Sequence, residues 1–235
     1  MGTTTLYWST VTTSKASSID RSPFVASVSF LHVDRAGETL IPPDGTWDLV
    51  FIQNQRGIRA IRTGMTTKAV RLCHSENEQI LAISFKASVN IAAVDPVASL
   101  DKGYLLESDR NSVLIAGEVF EIPVFSNADV FVDHLARAGL LRMNCAVQSI
   151  LDGQRIARSE RTVQRQFKAT TGMTYKQFTM IERARLAAAK LRHGEPVHNV
   201  IDALGFYDQA HLINSLRAII GQTPSQLNRC APVGA

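Results

Sequence analysis

Gly205-Phe206-Tyr207-Asp208-Gln209-Ala210-His211, followed by Gly221-x-Thr223-Pro224, punctuates the C-terminal end of this 235-residue chain. The first glycine interrupts a helical apolar pattern and predicts a turn between helices Val197–Leu204 and Gln209–Ile219. Val200, Ile201 and Leu204 give the first helix a buried face, and Leu212 and Leu216 do so for the second. His211, Asn214 and Arg217 then point outward. Asp208 suits the N-cap, because its carboxylate accepts from the free amides of the first turn. Gly221 ends the second helix, and Thr223-Pro224 starts the last one with a capping hydroxyl and a preset φ. Two short helices joined by a glycine turn can offer one exposed helix to a DNA major groove.

Working upstream, the same design recurs. Ser159-Glu160-Arg161-Thr162-Val163-Gln164-Arg165-Gln166-Phe167-Lys168 reads as an amphipathic helix. Val163 and Phe167 are four apart on the face that buries. Arg161, Gln164, Arg165 and Lys168 fall elsewhere on the cylinder. Arginine suits guanine O6/N7 and glutamine suits adenine N6/N7, so these side chains fit base reading. Gly172 terminates this helix. The supporting helix before it is poorly formed on paper, because Asp152-Gly153 inside Ile150–Ile156 is a turn signal. It is expected to be short or distorted.

Between the two units, Thr174-Tyr175-Lys176-Gln177 forms a capping box. Phe178, Ile181, Ala184, Ala188 and Leu191 then make a helical stripe, with Gly194 as stop and Pro196 beyond. About twenty residues at 1.5 Å each span about 30 Å. The major groove repeats about every 34 Å. A stiff helix of this length is expected to hold two reading helices in successive groove segments.

Charge follows the same division. Residues 155–229 carry 12 Lys and Arg against 5 Asp and Glu, net +7, and the remainder carries 13 against 16, net −3. The C-terminal third therefore faces a polyanion.

The first 90 residues alternate with the two-residue period of strands. Phe24, Ala26, Val28 and Phe30 alternate with Val25, Ser27, Ser29 and Leu31; Trp47, Leu49 and Phe51 alternate with Asp48, Val50 and Ile52. Val70–Leu72 and Leu81–Phe85 add short strands. Pro42-Pro43-Asp44-Gly45 is turn chemistry. The expected class is α+β: a small N-terminal β sandwich or barrel-like domain, then an all-α domain. A helix starting at Ser126, with Phe131, Leu135 and Ala138 as its stripe and Gly139 as its end, precedes a boundary near residue 143.

The motif Ser159-x-Arg161-x-x-Gln164-Arg165-x-Phe167, Gly172, Arg183-x-x-x-Ala187, Gly205-Phe206, Gly221-x-Thr223-Pro224 resembles the AraC/XylS family of bacterial transcription regulators over residues 155–228. Tyr207-Asp208-Gln209-Ala210-His211 is similar to a subgroup whose N-terminal β domain is poorly characterised. Pro43-Asp44-Gly45-x-x-Asp48-Leu49-Val50-Phe51 resembles that domain. The resemblance implies a β-rich sensing or dimerisation domain over 1–143 and a double helix–turn–helix DNA-binding domain over 144–235. It puts Arg161, Gln164 and Arg165 at base-facing positions of the first reading helix, and His211 and Asn214 at those of the second. Gln209, Arg217, Thr162 and Lys168 are expected on phosphates, which position without specifying; Ser159 opens the first reading helix. Asn214 stands where the family commonly has arginine, and Leu216-Arg217 where it has Phe-Lys. The second unit is therefore expected to read its segment differently. Implied partners are double-stranded DNA, RNA polymerase, a small-molecule effector and a second copy of the chain. Activation is the family's commoner mode.

Other function classes leave weaker traces. Cys73, Cys145 and Cys230 are too few and too scattered for a four-cysteine zinc site, such as a DNA-repair protein carrying this module would use. His32, His74 and His134 show no ligand spacing for a metal-dependent, cupin-like enzyme. Neither Gly-x-Ser-x-Gly nor a Walker loop occurs. A non-DNA interaction module would leave the basic helices unexplained. The expectation is a non-enzyme with no metal or cofactor. No run of 18 apolar residues exists, so no membrane span is expected. A cytoplasmic, nucleoid-associated protein is the simplest reading. In the β domain, Trp47, Phe51, Phe85 and Phe30 are expected as core rather than pocket lining. Arg59, Arg62 and Arg71 are expected either to hold a carboxylate ligand or to form a solvated strand face.

Overall fold

Strand alternation in the first half builds a β-rich domain, and the basic second half is helical. The computed structural model describes residues 11–12, 22–154 and 159–229. Its elements are β1 (Val11–Thr12), β2 (Val25–Val33), β3 (Gly37–Ile41), β4 (Trp47–Asn54), β5 (Gly57–Thr63), β6 (Val70–His74), β7 (Glu78–Phe85) and β8 (Val89–Ile91). There follow α1 (Pro96–Ser99), β9 (Gly103–Leu106), β10 (Ser112–Ile115), β11 (Glu118–Glu121), α2 (Ala128–Arg137) and β12 (Leu141–Met143). The helical part comprises α3 (Cys145–Leu151), α4 (Glu160–Thr171), α5 (Tyr175–Arg192), α6 (Val197–Leu204), α7 (Gln209–Ser215) and α8 (Pro224–Arg229).

The main sheet is antiparallel, in the order β1-β2-β7-β4-β5-β9. Three further two-strand ladders, β3-β6, β8-β12 and β10-β11, complete the β domain. In β4 the alternation works as read: Trp47, Leu49 and Phe51 are buried in the main core, while Ile52 joins Leu31, Val33 and Ile80 in a second apolar cluster. Trp47 stacks on Phe85 at 4.2 Å and its indole N–H donates to the Val89 carbonyl at 2.6 Å. Phe51 and Phe85 are thus packed core, Phe30 is partly buried against it, and Trp47, though buried, also lines a small cavity. In β2 the register shifts between Val25 and Ser27. A bulge of this kind changes which face later side chains occupy, so simple alternation fails across it.

The expected start of α2 at Ser126 is corrected. The helix begins at Ala128, after a 3₁₀ turn over Phe125–Asn127. The Asn127 side chain accepts the Val124 N–H at 2.7 Å, a local bond that closes the turn before the helix can begin. Phe131 and Leu135 are buried as expected, and Gly139 adopts φ +72° just past the end.

The two halves share one core. Its buried cluster runs from Leu49, Ile83 and Phe85 to Phe167, Leu191, Leu212 and Leu227. Three seams join the halves. At the first, Gly172, with φ +81°, lies so close to Pro96 that a Cβ would sit 2.5 Å from the Pro96 carbonyl oxygen. Nearby, Asn144 caps α3 with its oxygen while its amide donates to Thr170 at 2.9 Å. At the second, Arg185 donates to the Asp44 carbonyl at 3.2 Å. At the third, the Ala69 N–H donates to the Ile219 carbonyl at 2.7 Å, and Leu40 packs on Gly221.

Candidate nucleic-acid interface

The first unit pairs α3 with α4. α3 has seven residues and ends at Asp152-Gly153, with Gly153 at φ +72°. The turn signal was therefore correct, and the supporting helix is short; the rest of Ile150–Ile156 lies partly outside the described residues. Ser159 takes extended backbone angles and its hydroxyl accepts the Thr162 N–H at 3.4 Å, so it caps α4. The Thr162 hydroxyl bonds Ser159 Oγ at 2.9 Å. Phe167 is fully buried and packs edge-on against Phe178 at 5.5 Å, which seats α4 on α5. On the opposite side Arg161, Gln164, Arg165 and Lys168 are all exposed. Gln164 donates to Glu160 at 3.1 Å, one turn back. That contact holds its amide on the outer face of the helix.

α5 forms the capping box that its sequence announces. Thr174 Oγ1 accepts the Gln177 N–H at 3.2 Å, and Gln177 Oε1 accepts the Thr174 N–H at 3.0 Å. Phe178, Ile181, Ala184, Ala188 and Leu191 are buried, and Ala187 joins them. Six buried positions on 18 residues make α5 the shared spine of both units.

The second unit pairs α6 with α7. Gly205 has φ +65°, the left-handed turn that a side chain would resist. The Asp208 carboxylate accepts the His211 N–H at 2.7 Å. Leu212 and Leu216 are fully buried. A π-helical turn, Leu216–Ile220, carries the helix to Gly221. Gln209, Asn214 and Arg217 are exposed. His211 is half-buried: its Nδ1 accepts the Tyr207 N–H at 3.2 Å and its ring meets Phe206 at 5.4 Å. Nε2 is the ring nitrogen left for an outside partner.

Sequence reading overlooked two residues here. Arg183, on α5, lies over the Phe206 ring at 4.8 Å and donates to the Gly205 carbonyl at 3.4 Å, pinning the turn to the spine. Its place in the motif was visible, but its contact needed the fold. Tyr207 is 90% exposed just before α7. An aromatic in a turn gives no periodic signal.

The three arginines of the β domain do not converge. Arg59 pairs with Glu78 at 3.3 Å and Arg71 with Glu38 at 2.9 Å. Arg62 is buried beneath Tyr104. His32 lies beside Asp34 and His74 beside Thr39, away from each other's partners. Cys73 and Cys145 are free thiols. Among the described residues no three His, Cys, Asp or Glu side chains group as a metal would require, and no helix is long and apolar enough to cross a membrane.

A capped, outward-facing second helix on each of two helix pairs is the arrangement of a helix–turn–helix; α4 carries Arg161, Arg165 and Lys168 on its exposed side, whereas α7 carries no Lys or Arg. Residues 153–229 match the family model described as helix-turn-helix domain. This segment, about a third of the chain, is a helix–turn–helix domain. No curated protein matches the chain. Among solved structures, an apo point variant of ToxT from Vibrio cholerae strain SCE256 aligns with a TM-score of 0.42 and 8% identity, over 90% of this chain and 99% of that one.

Proposed function

We propose that residues 144–235 read two successive major-groove segments on one face of a duplex, and that residues 1–143 form a sensing or dimerisation domain. The observation that carries this reading is the shared spine. α5 has 18 residues. At 1.5 Å per residue it is about 27 Å long, comparable with the groove repeat of about 34 Å. α4 leads into its N-terminal end, and the turn that starts α7 is pinned to it at Arg183. Arg161, Gln164 and Arg165 would contact base edges from α4, and Asn214 and the His211 Nε2 would do so from α7. Thr162, Lys168, Gln209 and Arg217 would hold phosphates, with Ser159 fixing the start of α4.

Regulation would follow from contact with RNA polymerase, or exclusion of it, once both segments are occupied. A small effector or a second copy of the chain would act through the β domain. That domain touches both units, at Pro96–Gly172 and at Ala69–Ile219. An effector shifts such a system only if it binds the two arrangements unequally.

Selection from a random-duplex pool, followed by hydroxyl-radical footprinting of the winner, tests the reading. Two protected segments one helical turn apart are expected. A single protected segment would remove the two-groove geometry, and a pool without enrichment would remove sequence-specific reading.

A further inference from the structure

Arg62 is a guanidinium in the interior of a β sheet. It faces Leu49 across the β4–β5 pair, as Ala60 faces Phe51. Alternation therefore turns it toward the main core, whereas Arg59, three residues earlier, falls on the other face. Arg62 is 9% exposed, and no carboxylate pairs with it among the described residues. Tyr104 covers the guanidinium at 4.4 Å, and Ser99 Oγ accepts from Nη1 at 3.4 Å. A guanidinium has five N–H donors, so most of this one's capacity is unspent. Burial pushes its pKa below the ordinary arginine value.

Beside it lies a cavity of about 30 Å³, whose lining includes Trp47, Met65, Ile91, Ser99 and Thr170. The Ser99 hydroxyl accepts from Arg62, and the Thr170 hydroxyl accepts from Asn144. Each keeps its own proton to donate. Ser99 ends α1 in the β domain; Thr170 belongs to the last turn of α4, the first reading helix.

We propose that Arg62, Ser99 and Thr170 form a binding site for a compact monovalent carboxylate, clasped between the β domain and the first reading helix. The planar arginine fork matches two carboxylate oxygens. One buried cation balances one negative charge. A phosphate dianion would bring a second, uncompensated charge against Trp47, Met65 and Ile91, at high desolvation cost. The volume suits a formate- or acetate-sized group and is about a tenth of what encloses a drug-sized ligand. Because Thr170 sits on α4, occupancy would strengthen the docking of that helix on the β domain. This coupling rests on the DNA-reading proposal above; the binding itself does not.

The test uses the full chain, titrated with sodium acetate and sodium formate at constant ionic strength, with chloride and phosphate as references. Thermal unfolding and calorimetry are the readouts. A saturable rise in Tm is expected for the carboxylates only. Losing hydrogen bonds to a charged group should weaken acetate about tenfold or more in Arg62→Met and in Arg62→Lys, which keeps the charge without the fork. Arg59→Met should bind as the parent does. Ser99→Ala should also weaken acetate, which keeps the site testable if Arg62→Met fails to fold. Undiminished carboxylate stabilisation in Arg62→Lys and Ser99→Ala, or equal stabilisation by chloride or phosphate, overturns the site. Duplex affinity is measured separately with and without acetate. Acetate binding that leaves duplex affinity unchanged refutes the coupling alone, and absence of duplex selection by the parent refutes the DNA-reading proposal alone.

Discussion

Replacing Gly172 by alanine probes the seam between the β domain and α4. Two costs arise at this position. Gly172 caps α4 at φ +81°, where a side chain costs about 1–2 kcal/mol from contact of Cβ with the backbone. Its new Cβ would also lie 2.5 Å from the Pro96 carbonyl oxygen and 3.0 Å from the Pro96 carbonyl carbon. Both are backbone atoms, so α1 or α4 must shift; overpacking of this kind costs about 1–3 kcal/mol more. Gly205 supplies the control. It has φ +65°, and a Cβ there would meet nothing within 4 Å, so Gly205→Ala should show the first cost alone. Urea unfolding of both variants and the parent gives the comparison, read from midpoints at constant slope. Gly172→Ala should be the less stable by about 1–3 kcal/mol. Equal losses would mean that α4 does not bear on Pro96, and the rigid seam would have to be abandoned.

Arg165→Ala should cost about 1–3 kcal/mol at one base pair and relax choice there; unaltered discrimination across variant duplexes would take Arg165 off the base-reading face. Lys168→Ala should weaken all duplexes alike and reduce the salt slope by about one unit, so a slope equal to the parent's would exclude a phosphate contact. Asp48 has its pKa raised from 3.8 to about 6 by burial and then by Asp44 nearby. The folded state therefore binds this proton more tightly than the unfolded chain, and the stability so contributed is present below pH 4 and lost as pH rises through 6. Asp48→Asn should flatten that window and raise stability at pH 8 by on the order of 3 kcal/mol. A melting-temperature profile from pH 4 to 8 identical to the parent's would contradict the shift.

The helical third was legible because its signals are local. Ser159, Thr174 and Asp208 cap the helices they precede, through bonds spanning three residues. Gly172, Gly205 and Gly221 end helices at positive φ because a bare backbone turns there at little cost. Phe178, Ile181 and Leu191 bury because helical periodicity alone puts them on one face. By contrast, the bulge in β2 and the turn at Asn127 depended on which nearby group won a backbone bond, and alternation and capping preference do not predict that.

What chain order by itself determined is α4 to α7, the caps at Ser159, Thr174 and Asp208, and which side chains of α4 face outward. Short-range hydrogen bonding and periodic burial decide all of these within a few residues. Only the tertiary structure decided that Pro96 meets Gly172, that Ala69 reaches Ile219, that Arg183 lies over Phe206 and that Arg62 turns inward beside Ser99 and Thr170. Those pairs are brought together by the shared core, whose packing depends on the shape of every neighbouring element at once and leaves no signature in any single stretch.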